Sequence, residues 1–102
     1  MATILIVEDN PANMTLAAFL LESAGHTVLS ATDAETGLAL ARAEQPALIL
    51  MDIQLPGING IEALKVLRAN TVTAAIPAIA VTASVMQRDR NLITEEIGRA
   101  HV

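Results

Sequence analysis

Three apolar runs in this sequence stop abruptly on side chains that can do chemistry. TILIV (Thr3 to Val7) runs into Glu8 and Asp9, LILM (Leu48 to Met51) into Asp52, and PAIAV (Pro77 to Val81) into Thr82, followed by the small pair Ala83 and Ser84. Burying a carboxylate costs several kcal/mol unless it is paired or metal-bound. If these runs lie side by side, their acids meet at one rim and repel one another, so either a carboxyl keeps its proton or a cation sits among them. A hard divalent ion resolves the conflict. Mg²⁺ takes a few carboxylate and carbonyl oxygens plus water and usually keeps a position for a phosphate oxygen. On that reading Asp52 is placed both to bind metal and to act as a nucleophile toward phosphorus.

The elements that must hold these groups alternate along the chain. TILIV is short, β-branched and apolar on both faces, which suits a central parallel strand. Asn10 is a good helix N-cap and Pro11 a good first helical residue, with Met14, Ala17, Ala18 and Leu21 recurring behind them and Gly25 as the stop. HTVLSA (His26 to Ala31) reads as a second strand, and Asp33 caps a second helix through Leu38 and Ala41 to about Glu44, where Pro46 blocks continuation. ALILM (Ala47 to Met51) is a third strand covered on both faces. Gly60 to Ala69 reads as a third helix with Ile61, Leu64 and Leu67 inward, PAIAV as a fourth strand, and a fourth helix runs from about Ser84 toward Ile97. Strands alternating with helices of these lengths predict right-handed βαβ units and a parallel sheet wrapped on both faces. In such sheets ligands sit beyond the carboxyl ends of the strands, where the polar residues above are found.

Composition narrows the partners. A chain of 102 residues, 53% of them hydrophobic, is enough for one domain with one core. With no cysteine there is neither a disulfide framework nor a thiolate metal site, and a reducing compartment fits best. The N-terminus lacks a basic region before its short apolar run, so a cytoplasmic protein is expected. The net charge of -5 argues against direct contact with nucleic acid or an anionic membrane.

ILIVEDN, LILMDIQLPGINGIE and AVTAS, in this order and spacing, resemble the receiver domain of bacterial two-component response regulators, with VEDN and MDIQLPG closest to single-domain and hybrid-kinase receivers. The resemblance runs from Thr3 to about Glu95. It implies an α/β, flavodoxin-like doubly wound parallel sheet of strand order 2-1-3-4, with the family's fifth strand and fifth helix missing. It further implies that Asp52 accepts a phosphoryl group from a histidine kinase or histidine phosphotransfer protein. Asp9 would ligate Mg²⁺ directly, Glu8 through water, and the backbone carbonyl of Gln54 would supply another oxygen. Thr82 would be the switch hydroxyl, and Gln54 and Ser84 would tune phosphoryl lifetime. Such a domain catalyses its own phosphotransfer and slow dephosphorylation and is not a turnover enzyme.

Each of these residues also has an ordinary use. An aspartate at a strand end often caps a turn, an acid pair often sits in a solvated loop, and Asn59 and Gly60 suit a turn and helix entry. His26 has no ligand partner at metal spacing. Three such coincidences in register are far rarer than one site. The chain also departs from the family: LITEEIGRAHV has no counterpart of the phosphoryl-pairing lysine, and Lys65, the single lysine, falls on the third helix. A degenerate receiver acting only through its surfaces is therefore the alternative. IGRAHV back-translates into the start of a common sequencing adapter, so the domain is expected over 1–96 and 97–102 as a non-native tail. Two other classes fit worse. A haloacid dehalogenase-type phosphatase needs an Asp-x-Asp pattern after the first strand, and a flavodoxin-like cofactor binder needs a phosphate loop where the carboxylates stand.

Overall fold

The computed structural model describes residues 2–55 and 57–81. The expected fourth helix, Thr82, Ser84 and the tail 97–102 lie outside the described residues.

Strand β1 (Thr3–Val7) leads into helix α1 (Pro11–Ser23), followed by β2 (Thr27–Ala31), α2 (Ala34–Glu44), β3 (Leu48–Asp52), α3 (Gly60–Ala69) and β4 (Ala78–Val81). The sheet order is β2-β1-β3-β4, all pairs parallel. The parallel sheet is the one anticipated from the alternation and its order the one the resemblance implies, and β1 and β3 are its inner strands.

Successive side chains of β1 and β3 point to opposite faces, and each face has its own cover. Leu5, Val7, Ile49 and Met51 pack with Ala34, Ala41, Ala63 and Leu67 of α2 and α3, whereas Ile4, Ile6, Leu48 and Leu50 pack with Ala17 and Leu21 of α1. Every residue of β3 is buried, which explains why its sequence is apolar without alternation.

The helix ends are built locally. Asn10 caps α1, its Oδ1 accepting from the amides of Ala12 at 2.9 Å and Asn13 at 3.1 Å, with Pro11 in the first turn. Asp33 caps α2 through the Thr36 amide at 2.7 Å. At the other end Gln45 takes a left-handed conformation (φ 46°) immediately before Pro46, so α2 ends at Glu44, two residues ahead of the proline. Asn59 caps α3 by accepting from the Glu62 amide at 2.9 Å. The far end of α3 is closed by Thr73, whose buried hydroxyl donates to the Leu67 carbonyl at 2.7 Å.

One expectation about α3 fails. Ile61 is exposed rather than inward, and Gly60, Ala63 and Leu67 form the buried stripe, with Leu64 packed beside it. The helix is rotated because its first residue abuts the backbone of Asp52, and that contact sets the phase for the turns that follow.

Candidate metal centre

Register brings the acids together. Val7 pairs with Met51, so the residues that follow, Glu8 and Asp52, stand across from one another at the carboxyl ends of the two inner strands. The outer pairings carry on one residue beyond β1 and β3: the Glu8 amide donates to the Ala31 carbonyl of β2 at 2.9 Å, and the Ile53 amide to the Val81 carbonyl of β4 at 3.0 Å. Glu8 is thereby held inside the sheet at 1% exposure and Asp52 at 4%, while Asp9 is exposed at the rim. Each of the three residues offers a carboxylate oxygen, and these atoms all lie within 4.8 Å of one another.

The hydrogen bonds around this cluster come from the turns. Glu8 Oε2 accepts from the Asn10 amide at 2.9 Å, and Asp52 Oδ1 accepts from the Gln54 amide at 3.1 Å. Glu8 Oε1 is buried with no hydrogen-bond partner. Burial pushes the Glu8 carboxyl from 4.5 up to about 7; the Asn10 amide pulls it down, and the neighbouring Asp52 and Asp9 carboxylates push it further up. A buried acceptor without a donor, facing two further carboxylates, fits a hard cation, which would satisfy the orphan oxygen and relieve the repulsion together.

The sequence-derived residues are thus divided. Glu8, Asp9 and Asp52 converge as expected, and Gln54 lies beside them, though the contact the structure defines for it is through its amide rather than its carbonyl. Lys65 is exposed on α3. Two features escaped the sequence reading. Glu8 belongs to the sheet interior, which only the pairing of its amide with β2 reveals. Gly60 presses on the Asp52 backbone, and the one signal for it was a glycine at a helix entry, a position that helix capping alone does not reserve for glycine.

The pattern of a family model for the response regulator receiver domain matches residues 4–97. The chain belongs to this family. Among curated relatives, this receiver is 46% identical over 90 residues to the protein PilH of Pseudomonas aeruginosa, covering 88% of this chain and 74% of PilH. It is 42% identical over 93 residues to the polar-differentiation response regulator DivK of Brucella anthropi, covering 91% of this chain and 76% of DivK. Among solved structures, the receiver domain of the sensor histidine kinase PA1611 from Pseudomonas aeruginosa superposes with a TM-score of 0.77 at 37% identity, covering 87% of this chain and 73% of that one. That crystal structure carries a magnesium ion coordinated in its active-site cleft. The N-terminal receiver of a Methanoculleus marisnigri response regulator superposes with a TM-score of 0.79 at 27% identity, covering 94% of this receiver and 78% of that chain. No described helix of this receiver is long and apolar enough to cross a membrane.

Proposed function

We propose that this receiver domain takes a phosphoryl group onto Asp52 with Mg²⁺ bound beside it, as a phosphoacceptor in cytoplasmic two-component signalling. The observation that carries the reading is the convergence of Glu8, Asp9 and Asp52 oxygens within 4.8 Å at the carboxyl edge of the inner strands. The magnesium in the similar PA1611 receiver supports the choice of ion.

Asp9 and Asp52 would hold the ion, Glu8 would hold it through water, and the Gln54 carbonyl would add an oxygen. When bound, Mg²⁺ supplies positive charge that draws phosphoryl oxygens to the rim and offsets the charge developing on them. The protein's own part is positioning. The Gln54 amide fixes Asp52 Oδ1, leaving Oδ2 to form the bond to phosphorus as the bond from phosphorus to a donor imidazole nitrogen breaks. The released imidazole keeps the electron pair and later takes a proton from solvent. The donor is a phosphohistidine on a histidine kinase or phosphotransfer protein, and the domain turns over only by slow hydrolysis of its own acyl phosphate.

Acetyl phosphate with Mg²⁺ tests this directly. One phosphoryl group per chain, labile to hydroxylamine and to base, is expected in the wild type and absent from Asp52→Asn. Label that persists in Asp52→Asn would refute the assignment.

A further inference from the structure

Gly60 lies at the first turn of α3, eight positions beyond the acid it touches, and the three atoms nearest to where its Cβ would stand are all backbone. A Cβ built on it would press on the Asp52 carbonyl oxygen and stand 2.9 Å from both the Asp52 carbonyl carbon and Ile53 Cα. These closest atoms are main chain and cannot swing aside as a side chain would, so any residue other than glycine displaces the main chain at the end of β3. The Gly60 amide meanwhile donates to the Ile53 carbonyl at 2.9 Å. That carbonyl and the Gln54 amide belong to one peptide unit, and in a trans peptide the two groups point in opposite directions. With its carbonyl held by Gly60, the plane of this peptide is fixed. Its N–H is then aimed at Asp52 Oδ1, 3.1 Å away.

We propose that Gly60 is a positioning residue for the Asp52 carboxylate, acting through the Ile53–Gln54 peptide. The inference rests on the reading of Asp52 as phosphoacceptor and adds what orients it. The absence of a side chain at position 60 lets α3 approach closely enough to grip the peptide, and the peptide in turn selects which carboxylate oxygen its N–H engages. Misplacement of a reacting atom by about 1 Å is enough to slow a positioned reaction by about a hundredfold.

Gly57 supplies the control. It lies in the connection from β3 to α3, three residues before Gly60, at φ 79°, where a side chain strains the backbone, yet a Cβ there would meet nothing within 4 Å. Gly57→Ala therefore weakens the loop without touching Asp52. In the full chain, Gly60→Ala is expected to slow Mg²⁺-dependent labelling by acetyl phosphate by about ten- to a hundredfold at equal folded fraction. Its Gln54 amide proton should shift upfield and exchange faster. Gly57→Ala should lower the denaturation midpoint while labelling rate and Gln54 amide shift stay at wild-type values. The wild type carries an independent check should Gly60→Ala fail to fold: its Gln54 and Gly60 amides must be protected from exchange to the same degree, because one opening releases both. A wild-type Gln54 amide that exchanges freely overturns the proposal, as does Gly60→Ala labelling at the wild-type rate. A wild type that takes no label, with the two amides equally protected, instead overturns the phosphoacceptor reading and the proposal with it.

Discussion

Replacing Glu8 with glutamine should make this domain more stable at neutral and alkaline pH in the absence of metal. The wild-type side chain is 1% exposed and its carboxyl is pushed from 4.5 up to about 7, chiefly by burial. Between those values the folded protein holds a proton that the unfolded chain has released. Stability from this group is therefore fully present below about pH 4.5 and lost as pH rises through about 7. The full displacement corresponds to about 3 kcal/mol as an upper limit. Against a total of about 5–15 kcal/mol for a small domain, that is a large fraction. Glutamine keeps the acceptor for the Asn10 amide and adds a donor facing Asp52, but has no charge to bury. Urea unfolding followed by far-UV circular dichroism suits a chain with no Trp or Tyr. The midpoints of wild type and Glu8→Gln should coincide near pH 4 and separate by about 1–3 M near pH 8, given a slope of about 1–3 kcal/mol per molar. Adding Mg²⁺ near pH 8 should restore most of the wild-type deficit and help the variant far less. Parallel pH profiles for the two proteins from about pH 4 to pH 8 would refute the argument that Glu8 is buried and uncompensated.

Other perturbations read other parts of the structure. Mg²⁺ at about a hundred times its dissociation constant should stabilise the wild type by about 2.7 kcal/mol, and Asp9→Asn should remove most of that gain, both visible as shifts in the thermal midpoint. Asn10→Ala loses the acceptor for the Ala12 and Asn13 amides and is expected to cost about 1 kcal/mol by urea unfolding, within a range of about 0.5–2. Thr73→Val keeps the volume but removes the hydroxyl bonded to the Leu67 carbonyl, which then keeps only the longer bond from the Asn70 amide at 3.4 Å, for a loss of about 0.5–1.5 kcal/mol in the same measurement.

What could be read from the sequence was what depends on near neighbours. Asn10 with Pro11, and Asp33, announce helix starts because capping is settled within three residues, and Pro46 announces a stop for the same reason. Parallel pairing followed from strand and helix alternation, and the order β2-β1-β3-β4 from the resemblance of the three motifs. Ile61 was misplaced because helical spacing alone admits more than one phase for GIEALKVLRA, and the phase is chosen by the contact of Gly60 with a strand end. The depth of Glu8 was illegible in VEDN for a similar reason. Whether that glutamate is solvated or enclosed depends on a hydrogen bond from its amide to Ala31, which lies a whole helix away along the chain.

The acid cluster draws on two strands that meet only after α1, β2 and α2 have been made. A chain emerging from the ribosome therefore carries Glu8 and Asp9 for some time before Asp52 exists to complete the set, and the β1–α1–β2 portion alone holds only part of it. Contacts of such wide sequence separation form late, because loop closure must precede them. Ion affinity at this rim is consequently a property acquired in one step with the docking of β3. Apparent metal binding during refolding should follow the slowest structural phase, and a partly folded chain, however much helix it has gained, should leave the ion in solution.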